Sequence, residues 1–465
     1  MNTNLEIIQP QKAKPLTLII SGIFIGLLSL IFSYFEIAEF FPLLFIGLLL
    51  IYYTVKSNDV WVMITFMVLP FILLSRDGTM KVSELLANLY ILGGLIFYLI
   101  KYHVFHREKL VENWGDLFLA LFIIFAASNL IIALLNGVDI VDWLRGYLTF
   151  FLYLLYFPLK RFLNTKEKLY YFLLAFCVCI IAISVHHLVY VKYNAVRATF
   201  AYQLQSSLRI NLTLISFSIF ICLAFLFEVK NKWFKLLLLG TMGLAIACVI
   251  TSFARATWIA VLGLLLLNFF VFPREQKIKL ALSSIFGIII LSTVMLNTFH
   301  NYDIYLKLIN KKFLSSKEGK KDKSIRSRFY EYEGVFRQLD TYPISGSGIN
   351  KKFRFKNILK DNITEYQTFT HNSFLHFWYM MGIPTTLCYI IFFFYYSIRS
   401  FYIAFFRREI HYYQRKLAYI SFAGFMIAIS HGMVAPHLST IETITTIVVS
   451  MAFMNSKLLG VGVGE

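Results

Sequence analysis

Several arginines of this chain lie close to the ends of long apolar runs, where a guanidinium can bind an anion. They are Arg76, Arg145, Arg197, Arg209 and Arg255. A guanidinium forms planar, bidentate hydrogen bonds to phosphate oxygens, which the ammonium of lysine does not. Any one of them alone is also explained by a side chain that extends towards lipid headgroups. Five arginines in equivalent positions, with few lysines beside them, indicate an anionic ligand.

Arg255 is the strongest of these candidates because it opens an apolar run. A helix that begins there presents free amide groups and the positive end of its dipole to an anion. Arg145 follows Asp142 at the start of another run, in a similar position. Asp142 is equally well explained as a plain N-cap with Arg145 as its neighbour.

His371 is the candidate for acid–base chemistry. It comes just before Asn372 and Ser373, either of which is a natural N-cap for the apolar run that follows. A positive helix end and nearby arginines disfavour the imidazolium form, so we expect a neutral ring that can act as a general base. The alternative is a histidine that bonds to loop backbone. His431 and His437 are weaker candidates for the same role.

Membrane-spanning helices must position these residues. Hydrophobic residues make up 58% of the 465 residues, and the mean hydropathy is +0.69. A bilayer core of about 30 Å needs roughly 20 apolar residues per helix, and unpaired backbone is not tolerated in lipid. The predicted spans are 16–35, 38–55, 59–75, 84–104, 115–135, 142–158, 167–191, 208–228, 232–251, 255–272, 278–298, 372–398, 417–436 and 439–455.

Charge sets the predicted orientation. The net charge is +19, and alternate short connections are basic, for example those with Lys160, Arg161, Lys230 and Arg407. Basic connections stay in the cytoplasm, so both termini are predicted there. The arginines near the helix ends and His371 then face the outer side. The five cysteines all fall in predicted spans and indicate neither disulfides nor a metal site.

One large hydrophilic segment, residues 299–371, separates residues 1–298 (predicted helices 1–11) from residues 372–465 (predicted helices 12–14). It carries fifteen Lys or Arg against eight Asp or Glu. Apolar residues recur at helical spacing over 324–340, which predicts an amphipathic helix outside the membrane. Arg328 lies on the flank of its apolar face and Arg326 points away, so we expect Arg328 to face inward.

Three segments together resemble the O-antigen ligase and O-antigen polymerase superfamily of bacterial inner-membrane proteins. They are residues 252–258 (SFARATW), Arg328 ahead of residues 342–348 (YPISGSG), and residues 371–375 (HNSFL) with Gly382 beyond. The resemblance covers roughly residues 195–385. It departs from the family where Phe200 replaces a frequent glycine, where Tyr332 replaces a usual tryptophan, and in having more than twelve predicted spans.

The resemblance implies a site for an undecaprenyl-diphosphate-linked glycan. Arg255 and Arg328, helped by Arg197 and Arg145, would bind the diphosphate, and His371 would activate the acceptor hydroxyl. Fixed guanidiniums stabilise a leaving diphosphate without a metal. The outer side has no cluster of carboxylates suited to Mg²⁺ or Mn²⁺, so neither a metal nor another cofactor is predicted.

The predicted protein is therefore an all-α, polytopic bundle of about 12–14 transmembrane helices in the bacterial inner membrane, with its active site in the periplasm. The predicted activity is glycosyl transfer by an O-antigen ligase-like enzyme, with lipid A core as the acceptor. Polymerisation onto a growing glycan, or transfer to a protein hydroxyl, would use the same residues. The predicted surroundings are membrane lipids, and nucleic acid is not a predicted partner.

Two other functional classes fit the composition less well. A flippase for lipid-linked oligosaccharides would require charged residues deep in the bundle and two similar halves. A metal-dependent polyprenyl-phosphate glycosyltransferase would require acidic residues in the first outer connection. Glu36 and Glu39 are present there, and we interpret them as interfacial.

Overall fold

The computed structural model of the chain describes residues 52, 56–74, 82–197, 211–252, 254–273, 275–277, 323–357, 363–434 and 437–456. The chain divides into two compact units, residues 1–61 and residues 62–465. The packing described below belongs to the second unit. The predicted spans 16–35 and 278–298, and span 38–55 apart from Tyr52, lie outside the described residues.

The described residues form thirteen α-helices and one β-hairpin, which confirms the predicted helical fold. The helices are α1 (Asn58–Leu73), α2 (Val82–Leu99), α3 (Trp114–Leu135), α4 (Ile140–Phe151), α5 (Tyr156–Phe162), α6 (Lys166–Arg197), α7 (Leu212–Leu226), α8 (Lys232–Thr251), α9 (Arg255–Val271), α10 (Lys323–Leu339), α11 (Ser373–Phe405), α12 (Tyr412–Gly432) and α13 (Ile441–Met454). A π-helix, Ile100–Phe105, prolongs α2, and a 3-10 turn, Leu152–Leu155, joins α4 to α5. Strands β1 (Phe353–Asn357) and β2 (Ile363–Gln367) pair antiparallel.

Six helical segments in the described part of the chain are long and apolar enough to cross a membrane. They are Leu86–Phe105, Trp114–Leu135, Ile140–Phe162, Lys166–Val191, Lys232–Thr251 and Ser373–Phe405. Helices α1, α7, α9 and α13 are apolar but shorter. Backbone groups inside a bilayer must be bonded within the protein, which a helix achieves by itself. The protein is a mostly helical membrane protein.

The centre of the bundle is formed by α7 and α13. Every residue of α7 is buried, and so is every residue of α13 after Ile441. A helix that is apolar all round is stable only when neighbours cover every face. Accordingly α7 packs against α8, α12 and α13, while α11 packs against α3 and α12.

Ion pairs collect at one end of the bundle, here called the lysine end. Lys160 Nζ lies 2.6 Å from Glu112 Oε2, and Lys416 Nζ lies 2.6 Å from Glu228 Oε1. The guanidinium carbon Cζ of Arg161 lies over the ring of Tyr102, 3.9 Å from its centroid. These residues come from the connections that the charge pattern predicts to be cytoplasmic.

The opposite end, here called the histidine end, is held by hydroxyls and imidazoles. His431 at the end of α12 lies 2.7 Å from Thr257 Oγ1 near the start of α9. Its other ring nitrogen lies 2.7 Å from Thr213 Oγ1 near the start of α7. Ser373, which begins α11, accepts a hydrogen bond from the Leu438 amide at 3.2 Å. The starts of α7, α9 and α11 and the end of α12 therefore share this end, as the predicted alternation of helices requires.

Helix α11 is broken near its start by Gly382. This residue has φ 78° and ψ 178°, values that only glycine adopts without strain. Pro384 follows and cannot donate to Met380, and the Ile383 amide donates to Ile344 instead, at 2.9 Å. The carbonyls of Tyr379 and Met380 therefore lose their helical donors.

The segment 344–348 supplies the missing donors. The Ser347 amide donates to Tyr379 at 2.7 Å, and the Gly348 amide donates to Met380 at 2.9 Å. Gly346, with φ 71°, lies so close to the break that a Cβ there would collide with the Gly382 backbone. The absence of a side chain at Gly346 therefore lets the segment approach the break in α11.

Asn129 of α3 and Asn136, the C-cap of α3, bind the same segment. Asn129 donates from Nδ2 to the Met380 carbonyl at 3.0 Å, and its Oδ1 accepts from the Ile349 amide at 2.9 Å. Asn136 donates to the Ser347 carbonyl at 2.8 Å. Because the end of α3 and the broken part of α11 meet here, the segment is fixed at the histidine end.

Helix α10 lies where the sequence predicts a helix, at 324–340. It packs on β1, where a Cβ on Gly334 would lie 2.6 Å from the Arg354 carbonyl oxygen. Phe353 and Phe355 of β1 are buried, whereas Arg354 and Lys356 are exposed. The sequence pattern predicts an all-α fold and misses this hairpin, because its strands are only five residues long.

We predict that Gly382→Ala destabilises the protein strongly. The new Cβ would collide with the Ile344 carbonyl oxygen, and the backbone strain alone costs about 1–3 kcal/mol. Thermal unfolding followed by tryptophan fluorescence in detergent measures the effect. Gly263→Ala is the control, since open space surrounds Gly263 within α9. Its unfolding temperature should hold or rise. Equal behaviour of the two variants would contradict the role given to Gly382.

Candidate functional site

His371 lies directly before α11 and is bound by a carboxylate from α10. Its Nδ1 lies 2.6 Å from Glu331 Oε2, and its backbone amide donates to Glu331 Oε1 at 2.5 Å. The His371 side chain is 37% exposed, while that of Glu331 is 3% exposed. Because a carboxylate only accepts, the neutral ring bound in this way carries its proton on Nδ1 and a lone pair on Nε2.

Glu331 was absent from the residues predicted from the sequence. It lies one turn after Arg328 and in line with the buried Val335 and Leu339, on the apolar face of α10. A carboxylate in such a row was a signal that could have been used, because burying an unpaired charge is costly. Its partner could not be inferred, since forty residues separate it from His371.

The turn that carries His371 is fixed from its other side. Asn372 is the N-cap of α11, and its Oδ1 accepts from the amides of Phe374 and Leu375 at 3.0 and 3.1 Å. This confirms one of the two predicted caps. Thr370 donates from its hydroxyl to the Asn372 carbonyl at 2.8 Å. The backbone at His371 is therefore fixed by hydrogen bonds of Thr370, of its own amide and of Asn372.

Arg326 and Arg328, near the start of α10, differ in exposure as the helical spacing predicts. Arg326 is exposed, and Arg328 is partly buried. Partial burial raises the pKa of Tyr332 above its ordinary value; the charge of Arg328 opposes this shift and that of Glu331 adds to it. Arg328, Glu331 and Tyr332 thus act on one another within a single turn of α10, and Glu331 connects this turn to His371.

Arg255 begins α9 as predicted, after an N-cap, Ala254, that offers no side-chain bond to the first turn. The first turn of α9 therefore places Arg255 at the positive end of the helix dipole. Trp258, one turn later, donates from its ring nitrogen to the Val249 carbonyl at 2.7 Å. Thr257, two residues from Arg255, bonds to His431 at the histidine end.

Contacts of described residues connect the starts of α9 and α11. The ring of His431, bonded to Thr257, lies 5.6 Å from the ring of His437. Leu438, next in sequence, bonds to Ser373. Thr257 and Ser373 are each two residues from a candidate, Arg255 and His371 respectively. The structure therefore brings both candidates to the histidine end.

Arg145 lies in the second turn of α4, exposed and 3.7 Å from Asp142. The N-cap of α4 is Asp139, whose Oδ1 accepts from the Val141 amide at 2.7 Å. The alternative in which Asp142 caps this helix is therefore wrong, and Asp142 pairs with Arg145 instead. Asn350 donates to the Asp142 carbonyl at 2.5 Å. The start of α4 therefore also lies beside the segment 344–348, which binds the break in α11.

The remaining arginine candidates stay predictions. Arg197 is the last residue of α6, and its side chain lies outside the described part of the structure. Arg76 and Arg209 lie outside the described residues altogether.

The geometry assigns different characters to the histidines of this end. His431 is 3% exposed, with both ring nitrogens bonded to threonine hydroxyls, which is the environment of a structural histidine. His437 lies 3.5 Å from Glu442 at the start of α13. His371 combines a bonded Nδ1 with an exposed ring, so it is the histidine best placed to exchange a proton with a bound molecule.

Comparison with known proteins gives one family match. Residues 240–390 match a family described as O-antigen ligase. The matched stretch begins in α8 and ends in α11, so it includes Arg255, Arg328, Glu331 and His371. No curated protein matches the chain significantly.

We predict that His431→Ala lowers stability. The change leaves the buried hydroxyl of Thr257 without its ring partner, at a cost of about 1–3 kcal/mol, while Thr213 keeps its bond from Thr443. Thermal unfolding measures it, and His106→Ala, at an exposed position, is the control. Unchanged stability with complete loss of activity would instead mean that His431 takes part in chemistry.

Proposed function

We propose that this chain, whose residues 240–390 match the O-antigen ligase family, moves a glycan from undecaprenyl diphosphate to an acceptor hydroxyl at the periplasmic face of the bacterial inner membrane. The family supports a glycosyltransferase of the ligase or polymerase type that acts on a lipid-linked glycan. We likewise propose the roles of individual residues and the identity of the acceptor.

The observation that carries the proposal is the gathering of Arg255 and His371 at the histidine end. The connections run from Thr257 through His431, and from Leu438 to Ser373. Arg328 belongs to the same site because Glu331, on the next turn of its helix, bonds to His371. Residues far apart in sequence thus supply phosphate-binding cations and a base at one end of the bundle.

The proposed reaction is a displacement at the sugar carbon C1. The acceptor oxygen forms a bond to C1 as its proton passes to His371 Nε2. The bond from C1 to the diphosphate oxygen breaks, and its electron pair stays on the released undecaprenyl diphosphate. The products are the glycosylated acceptor and the diphosphate lipid. Proton removal by a positioned base contributes about 10²–10⁴-fold to such a rate.

The arginines stabilise the negative charge that develops on the leaving diphosphate. Arg255 adds its guanidinium to the positive end of the α9 dipole, and both favour a bound anion. Arg328 adds a second guanidinium from α10. Arg145 and Arg197 are proposed as outer contacts of the same diphosphate. Fixed cations of this kind need no reorganisation as the reaction proceeds.

Lipid A core is the proposed acceptor, with ligation as the reaction. A growing glycan, in a polymerase, or a protein hydroxyl would be attacked by the same base. Both alternatives share the donor, the leaving group and the proposed roles of Arg255, Arg328 and His371.

We predict that transfer from a purified undecaprenyl-diphosphate-linked glycan depends on His371, Arg255 and Arg328. His371→Ala should lower the rate by about 10²–10⁴-fold because the base is lost. Arg255→Ala and Arg328→Ala should each lower it by about 10²-fold because the leaving group loses a charged donor. The assay is run with EDTA, which should leave wild-type transfer unchanged.

Arg326→Ala is the matched control, since Arg326 is an exposed arginine two residues from Arg328 on the same helix. It should transfer at nearly the wild-type rate. Full activity of His371→Ala, or a complete requirement for a divalent metal, would rule out the proposed mechanism.

A further inference from the structure

We propose that Glu331 is the positioning residue of His371. Its carboxylate holds the imidazole in the Nδ1–H tautomer and leaves Nε2 to accept the proton of the acceptor hydroxyl. The inference rests on the proposed function, and adds a residue that acts through the base without touching the substrate.

Both oxygens of Glu331 are committed to His371. Oε2 binds the ring at 2.6 Å, and Oε1 accepts from the backbone amide at 2.5 Å. The first bond sets the tautomer and the rotation of the ring, and the second fixes the main chain that carries the ring. A ring held at both places keeps its Nε2 in one direction, which is the requirement for a general base.

Burial is distributed as this role requires. The carboxylate is 3% exposed, so water does not compete for its oxygens, and its hydrogen bonds gain strength from the low dielectric. The imidazole is 37% exposed, so its free edge can meet a substrate. Each group has the exposure that its part in the pair needs.

A purely structural anchor would not need a carboxylate at this place. Helix α10 is already held by the contact of Gly334 with β1, and by Phe336, whose ring lies 6.2 Å from that of Trp378. An apolar residue beside Val335 and Leu339 would extend the buried row without the cost of desolvating a charge. We therefore infer that the carboxylate of Glu331 has a role in the reaction and not only in packing.

The position of Glu331 also joins the two halves of the proposed reaction. Arg328, on the preceding turn, is proposed to bind the leaving diphosphate, and Glu331 orients the base. A single helix then sets the distance between the group that receives the proton and the group that stabilises the released charge.

The first test replaces Glu331 by Gln. We expect the turnover rate to fall by about 10²-fold with the KM for the lipid-linked donor unchanged, because orientation of the base is lost while donor binding remains. Glu333→Gln is the matched control: Glu333 lies on the same helix, is exposed, and pairs with Arg337 at 2.6 Å. It should behave as wild type.

The second test combines variants. A residue that acts through His371 has no effect once His371 is gone, so Glu331→Gln should not slow His371→Ala further. A structural role would instead multiply the two losses. If Glu331→Gln does not fold, Glu331→Ala with added formate replaces it. The small carboxylate should restore transfer in this variant and not in His371→Ala.

The outcomes separate the two proposals. Full activity of His371→Ala overturns the proposed function. Loss of activity in His371→Ala together with a nearly normal rate in Glu331→Gln, or with losses that multiply, overturns the role of Glu331 alone. Failure of formate to restore Glu331→Ala, where that variant is used, also overturns the role of Glu331.

Discussion

The need to bond two backbone carbonyls inside a membrane protein shapes the site. Gly382 and Pro384 break α11, so the carbonyls of Tyr379 and Met380 have no helical donor. Unpaired groups of this kind are costly in an apolar environment. The amides of Ser347 and Gly348 satisfy them, which fixes that segment at the histidine end. Since α10 precedes the segment and the hairpin follows it, both are held near the start of α11.

The two ends of the bundle are stabilised by different interactions. At the lysine end, cations are neutralised by carboxylates, as in the pairs of Lys160 with Glu112 and Lys416 with Glu228. At the histidine end, the central hydrogen bonds join threonine hydroxyls to His431, and the buried carboxylate of Glu331 binds His371. The proposed diphosphate site lies at the histidine end, where α9 begins with its positive dipole end.

Local patterns predicted the local elements well. The apolar spacing of α10 and the cap at Asn372 could be derived because both depend on residues a few positions apart. Contacts across the chain could not. Glu331 meets His371 over forty residues, and Gly346 meets Gly382 over thirty-six, without any spacing rule that relates them. The sequence indicated that these glycines mattered, and their shared purpose at the break in α11 needed the structure.

A structure of His371→Ala with undecaprenyl diphosphate bound tests the central claim most directly. Removal of the base should leave the lipid in place, so the diphosphate can be located. We expect it at the histidine end, with the guanidiniums of Arg255 and Arg328 about 3 Å from its oxygens. A diphosphate bound at the lysine end, beside Lys160 or Lys416, would contradict the claim.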